Sequence, residues 1–183
     1  MEQLKAAIRT IPDFPKAGIQ FKDITPLLAD GTAFREAIDA LKERHEGTGI
    51  DIVVGIEARG FIFASALAYA LGAGVCLVRK PGKLPHAVHR QAYDLEYGSD
   101  AVEIHTDAFQ PDHKILIVDD VLATGGTVAA TVKLIQDNFD VKIAEIDFLI
   151  ELAFLEGREK LPGLPVHALV RYASTQSTNY CPV

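Results

Sequence analysis

Cysteine is nearly absent from this chain of 183 residues: only Cys76 and Cys181 occur, far apart. A disulfide framework is thereby excluded, and Cys76, inside an apolar stretch, is expected as a core thiol. No run of eighteen apolar residues occurs, so no membrane span is expected. The opening Met1-Glu2-Gln3-Leu4-Lys5 lacks a secretory apolar region, which points to the cytoplasm. Positive charge is also short: 18 Lys and Arg against 25 Asp and Glu give a net −7 and a pI of about 5.3. General nucleic-acid affinity is therefore not expected, and a polyanionic substrate would have to be drawn by a local basic patch. Neither G-x-x-x-x-G-K-[ST] nor G-x-G-x-x-G occurs, which removes two common nucleotide-binding loops. The six histidines show no metal-ligand spacing; His86-Ala87-Val88-His89 comes nearest and lacks a third partner. Repeats, low-complexity tracts and domain linkers are missing too.

What is present reads as one globular α/β domain, 49% hydrophobic and 23% charged. Its organising stretch runs from Ile115 to Thr127. Ile115-Leu116-Ile117-Val118 reads as a strand buried on both faces. Asp119 and Asp120 follow at its expected end, then Val121-Leu122 and Ala123-Thr124-Gly125-Gly126-Thr127. Val128, Val132 and Ile135 recur at helical spacing, so a helix is expected to begin near Thr127. A tight Gly-Gly turn at a helix N-terminus, flanked by threonine hydroxyls, suits a phosphate monoester. The two carboxylates are acceptors for a diol, so one ligand carrying a phosphate beside ribose hydroxyls would satisfy both halves. The plainer alternative leaves the aspartates as polar residues before a helix and the glycines as a simple turn.

Leu4, Ala7 and Ile8 predict a short amphipathic helix, and two prolines should keep 11–15 extended. Residues 18–26 suggest a short edge strand closed by Pro26, with Phe21 either a site residue or simply core. Thr32 is the expected N-cap of a helix carrying Phe34, Ala37, Ile38 and Leu41, which Gly47 and Gly49 end. Ile52–Ile56 is a second buried strand, leading through Glu57-Ala58-Arg59-Gly60 into a helix from Phe61 to about Leu71. Val75–Val78 is a third buried strand. From Arg79 to Arg90 come four fixed cations, two histidines and no acid. That segment is either a solvated loop or, opening on the same cleft as the aspartates, a cradle for pyrophosphate. Tyr93, Leu95 and Tyr97, then Val102 and Ile104, predict a hairpin with a three-residue turn at Gly98-Ser99-Asp100, able to close over a reacting centre. Further strands are expected at 143–150 and 166–170, a turn at 157–162, and a surface tail from Ala173. The order implies a mostly parallel sheet flanked by helices, with residues 1–30 and the last thirty or so forming a small hood.

Ile115–Thr127 resembles the 5-phosphoribosyl 1-pyrophosphate (PRPP) motif of the type I phosphoribosyltransferases. Pro12-Asp13-Phe14-Pro15 with Gly18–Pro26, Arg79-Lys80-Pro81-Gly82-Lys83-Leu84-Pro85, and Tyr93-Asp94-Leu95-Glu96-Tyr97-Gly98 resemble the hood and catalytic loop of the adenine-specific family. The resemblance implies the type I fold in a single domain, 1–183, with an arm at about 1–30 and a mobile loop at about 79–105. It implies transfer of phosphoribose from PRPP to adenine, giving AMP and pyrophosphate in purine salvage, with Mg2+ as cofactor and a homodimer as assembly. By the same resemblance Ala123, Thr124, Gly125, Gly126 and Thr127 hold the 5-phosphate, and Asp119 and Asp120 meet the ribose hydroxyls, directly or through magnesium. Arg59, Lys80 and Lys83 neutralise pyrophosphate. Phe21 stacks on adenine, backbone near Gln20 reads its amino edge, and Leu152 or Val121 closes the other face. The Glu57-Ala58 peptide matches a position held cis, although many relatives carry Asp-Ser there; Lys22 stands where many carry Arg. Glu96 is the candidate base, or else a charged outer face of the hairpin. The competing readings are a hypoxanthine-guanine or xanthine enzyme, and a PRPP- or nucleotide-sensing regulator that has lost catalysis.

Overall fold

The computed structural model describes residues 2–95 and 98–174. Five strands form one sheet in the order β4-β3-β7-β8-β9: β3 (Ile52–Ile56), β4 (Gly74–Val78), β7 (Lys114–Leu122), β8 (Lys142–Leu152) and β9 (Val166–Tyr172). Every neighbouring pair in it is parallel, so all carboxyl ends open on one edge. Alternation along β7 splits the core in two. Leu116 and Val118 pack with the helices α1 (Glu2–Ala6), α2 (Thr25–Ala29), α3 (Gly31–His45) and α4 (Gly60–Leu71). Ile115 and Ile117 pack with α5 (Gly126–Asn138) and the hairpin. Burial on both faces explains why β7 carries four consecutive apolar residues after Lys114.

Two smaller sheets lie apart from this frame. In the arm, β1 (Arg9–Pro12) pairs antiparallel with β2 (Gln20–Asp23). The chain between them turns sharply instead of staying extended, with Asp13 at φ 55° and a cis Phe14–Pro15 bond. The hairpin consists of β5 (Val88–Leu95) and β6 (Gly98–His105).

Several local expectations need correction. Asp30, not Thr32, caps α3, its Oδ1 accepting from Thr32 N at 2.8 Å and Ala33 N at 3.2 Å; such a cap contributes about 1 kcal/mol. Pro26 opens α2 instead of closing a strand, at a position where its missing N–H costs nothing. β4 is an edge strand whose Val75 and Leu77 are exposed. Cys76 on its other face is buried as expected, and burial pushes its thiol up to about 12. Gly98, Ser99 and Asp100 form no turn: they pair with Leu95, Asp94 and Tyr93. β7 does not stop at the aspartates, because Val121 and Leu122 continue the ladder against Ile150 and Glu151. Residues 166–172 complete the main sheet as β9 and are not part of a hood. Residues 175–183 of the tail, with Cys181, lie outside the described residues. Among the described residues no helix is long and apolar enough to cross a membrane.

Candidate active site

At the carboxyl edge of the sheet, where ligands of open α/β folds lie, a cavity of about 460 Å³ is walled by five stretches of the chain. Ile19, Gln20, Phe21 and Lys22 come from the arm. Glu57, Ala58 and Arg59 follow β3, and Lys80 follows β4. Asp119, Asp120, Val121, Ala123 and Thr127 come from β7 and its loop, and Leu152 from the end of β8.

The acidic pair forms the floor. Asp119 Oδ1 accepts from Asp120 N at 2.9 Å. α4 begins against this carboxylate, and a Cβ on Gly60 would stand 2.7 Å from Asp119 Oδ1, so only glycine fits there. Arg59 Nε lies 2.7 Å from Asp120 Oδ2, yet that buried oxygen has no hydrogen bond of acceptable geometry. Burial pushes both carboxyls up from their ordinary range; for Asp119 the charge of Asp120 adds to it, and for Asp120 the Arg59 guanidinium opposes it. A buried carboxylate oxygen without a donor, next to a second carboxylate, is a hard oxygen set. It fits a magnesium ion or sugar hydroxyls.

The loop after β7 turns at Gly125, whose φ of 76° favours glycine, and α5 starts at Gly126. Ala123 and Thr127 face the cavity. Thr124, Gly125 and Gly126 form the turn around them, with Thr124 exposed. The Thr127 hydroxyl lies 3.1 Å from Tyr93 OH, which joins the loop after β7 to the hairpin.

The basic loop is held by acids. Glu57 accepts from Lys80 N at 2.9 Å and Arg79 Nε at 3.3 Å, and it pairs with Lys83. Burial alone would raise its pKa, but the bonds from Lys83, Lys80 N and Arg79 outweigh it and hold the carboxyl at about 2. Lys83 is thus tied to Glu57 and does not wall the cavity. Lys80 Nζ donates to Tyr93 OH at 2.7 Å and to Asp100. Glu103 adds a second clasp by accepting from Gly82 N at 2.9 Å. The Glu57–Ala58 peptide is cis.

On the opposite wall Phe21 is half-buried and not a core residue. Its ring meets Phe14 edge-on at 5.2 Å. Lys22 is buried, donating to Thr10 Oγ1 at 2.8 Å beside the Tyr172 ring. Glu96 lies outside the described residues.

Sequence reasoning missed Glu57, Tyr93 and Asp100 as holders of the site cations. The one available signal was their type, acids and a phenol beside a basic segment; the cations they hold lie 13 to 26 residues away. It also missed a group outside the cleft, where His45, Glu145 and Asp147 offer ligand atoms within 4.8 Å of one another. His45 Nε2 is already 2.7 Å from Asp147 Oδ2, and Glu145 pairs with Arg44 at 2.7 Å. The cluster therefore reads as a hydrogen-bonded polar network, anchored by the Arg44–Glu145 pair.

The family model of the phosphoribosyl transferase domain matches residues 24–160. Adenine phosphoribosyltransferase of Citrifermentans bemidjiense is 58% identical over 172 residues, covering 94% of this chain and all of the relative. The chain belongs to the adenine phosphoribosyltransferase family. Crystal structures of adenine phosphoribosyltransferases agree. That of Thermoanaerobacter pseudethanolicus superposes with a TM-score of 0.89 at 49% identity, covering 93% of this chain and 99% of its own. The Saccharomyces cerevisiae enzyme, complexed with an imino-altritol bisphosphate and adenine, gives 0.86 at 42% identity, covering 90% and 95%. The stretches that resemble adenine phosphoribosyltransferase motifs, in the arm, the basic loop and the acidic strand, converge here on one cavity.

Proposed function

We propose a division of labour for the adenine phosphoribosyltransferase reaction, in which a ring nitrogen of adenine attacks the anomeric carbon of PRPP, pyrophosphate leaves and AMP forms. The observation that carries it is the shared cavity: an aromatic wall, two carboxylates and the start of a Gly-Gly phosphate loop face one space.

Phe21 stacks on adenine, Gln20 reads its edge through backbone groups, and Val121 or Leu152 covers the other face. Asp119 and Asp120 accept from the ribose hydroxyls. The Ala123–Thr127 loop holds the 5-phosphate with backbone N–H groups and the threonine hydroxyls. Arg59 and Lys80 stabilise the charge that grows on the departing pyrophosphate, and Lys83 joins them once it leaves Glu57. A magnesium ion held by Asp119 and Asp120, directly or through water, would supply further positive charge beside the pyrophosphate. Adenine's nitrogen loses its proton as the bond to carbon forms, and Glu96 is the base assigned to that proton. The β5–β6 hairpin closes over the cleft and excludes water.

The assembly expected is a homodimer. Val75 and Leu77 of β4, with Ile62 and Tyr69 of α4, leave apolar surface exposed that a second copy would cover. Light scattering at micromolar concentration tests it, and a monomer there would refute it.

The reaction itself is tested by supplying PRPP and magnesium with adenine, hypoxanthine, guanine, uracil or orotate in turn. AMP and pyrophosphate should form from adenine alone. Turnover of another base without adenine, or nucleotide binding with no turnover, would overturn the reading.

A further inference from the structure

Next to the phosphate loop, among residues that do not line the cavity, the chain has built a support. Leu122 leads from β7 into the loop, and its register partner on β8 is Glu151. Glu151 is only 3% exposed, and a carboxylate that deep requires compensation. Arg158 supplies it with two parallel bonds, Nε to Oε1 at 2.6 Å and Nη2 to Oε2 at 2.9 Å. The third nitrogen, Nη1, donates to Val166 O at 2.6 Å, at the start of β9. Arg171 stands farther off, its Nε 3.5 Å from Oε2. A forked pair of this kind fixes orientation as well as distance.

The residue before Arg158 is Gly157, which begins the short 3-10 turn Gly157–Lys160 and is buried. Its Cα touches the phosphate loop directly. A Cβ there would overlap Ala123 O and stand 3.0 Å from Leu122 Cδ1 and 3.1 Å from Gly125 N. A Cβ on Gly125 would in turn overlap Gly157 O. The two stretches are packed backbone on backbone. At the loop's far end α5 has no side-chain cap, and the loop is tied by Thr127, whose hydroxyl meets Tyr93 OH and whose carbonyl accepts from Thr131 Oγ1; the contact at Gly125 itself comes from Gly157.

We propose that Arg158 is a positioning residue for the 5-phosphate site: by gripping Glu151 it presses Gly157 against the loop and keeps its N–H groups converged on the phosphate. The inference rests on the assignment of Ala123–Thr127 to the 5-phosphate. Phe21, on the arm, lies outside this support, whereas Leu152 adjoins Glu151 at the end of β8, so adenosine binding serves as the control for the base site.

Calorimetric binding of AMP and of adenosine separates the two contributions, because their affinity ratio isolates the phosphate. Arg158→Ala should lower that ratio about tenfold or more while adenosine binds as before. Where a stranded Glu151 prevents folding, the double variant Arg158→Ala with Glu151→Gln removes the orphan charge and should show the same loss. Arg158→Lys keeps the charge without the fork and should not restore the ratio. Arg171→Ala, which removes a cation from the same carboxylate without touching Gly157, should leave it unchanged. A normal ratio in both Arg158→Ala backgrounds, or a parallel loss of adenosine, overturns the proposal. Thr127→Ala distinguishes the sources of failure. If it lowers the ratio while the Arg158 variants do not, only the support is wrong; if it too is silent, the phosphate assignment falls, and the support with it.

Discussion

Arg59 reaches over Phe21, its Cζ 5.4 Å from the ring centroid, while its Nε stands 2.7 Å from Asp120 Oδ2. One guanidinium thus links the wall proposed for the base to the floor proposed for the sugar. Phe21 contributes an aromatic face and no hydrogen-bonding group, so its replacement should act mainly on adenine. Phe21→Ala should raise KM for adenine by a factor of about five to 150, as expected for about 1–3 kcal/mol of lost stacking. KM for PRPP should stay within about twofold, and Phe21→Trp should retain most of the affinity. Steady-state kinetics at saturating PRPP measure the effect; an unchanged adenine KM removes Phe21 from the site.

The aspartates should show the opposite relation between function and stability. Their folded pKa values are raised by burial, so the folded state favours the protonated form and the ionised pair costs stability at neutral pH. The cost grows as pH rises through the folded values. Asn carries no charge. Asp119→Asn with Asp120→Asn should therefore unfold at the same or a higher temperature at pH 7 while losing PRPP turnover by about a hundredfold or more. Thermal melts and kcat/KM for PRPP report the two halves. Unchanged kinetics would refute the assignment.

Local apolar runs announced the strands well where charged residues bound them: β3 runs from Ile52 to Ile56, between Asp51 and Glu57, as its sequence suggests. Local reading failed where the deciding partner is distant. Asp119 and Asp120 look like the end of a strand, but Val121 and Leu122 keep pairing because β8 extends alongside them. Gly98 and Ser99 have turn chemistry, yet the register with Leu95 and Asp94 makes them strand. Nothing local marks β4 as an edge, since the exposure of Val75 and Leu77 follows from strand order. The turn from β7 into α5 was legible because its glycines and hydroxyls are contiguous in sequence. Glu57 and Arg158 were not, because each acts through a partner or neighbour that only the fold brings close.

Glu57 also carries a pH signature. Its folded pKa of about 2 lies below the ordinary 4.5, so it contributes stability above the ordinary value that is lost as pH falls toward about 2. Asp23 adds to the same window. The Thr25 N–H first, then Arg9, hold it at about 2. Glu57→Gln should flatten, without abolishing, the fall in melting temperature between about pH 4.5 and 2, where Asp23 still acts. An acid limb identical to that of the parent protein would show that the clasp on Lys80 and Lys83 adds nothing to stability.

A base that acts only as adenine's nitrogen attacks should leave ground-state binding alone. Glu96→Ala should lower kcat by about a hundredfold with both KM values within about twofold, and the loss should shrink as pH rises and more adenine is already deprotonated. A change confined to KM would make Glu96 a binding residue instead.

Lys80 meets a competitor for the pyrophosphate it is proposed to bind. Its ammonium is bonded to Asp100 and to Tyr93 OH, which raise its pKa against the opposing effect of burial. Pyrophosphate must draw that cation away from Asp100. The two side chains are about a third exposed, 33% and 30%, so the pair is worth little, about 0–1 kcal/mol. Asp100→Asn keeps the shape and removes the competing charge. Pyrophosphate should then bind up to about fivefold more tightly, and the gain should shrink in high salt. Lys80→Ala should abolish that gain in the Asp100→Asn background, since no cation would remain to be released. Titrating pyrophosphate into the protein, its Asp100→Asn variant and the double variant measures all three. Weaker binding in Asp100→Asn would mean that Asp100 presents Lys80 to the ligand and does not compete for it.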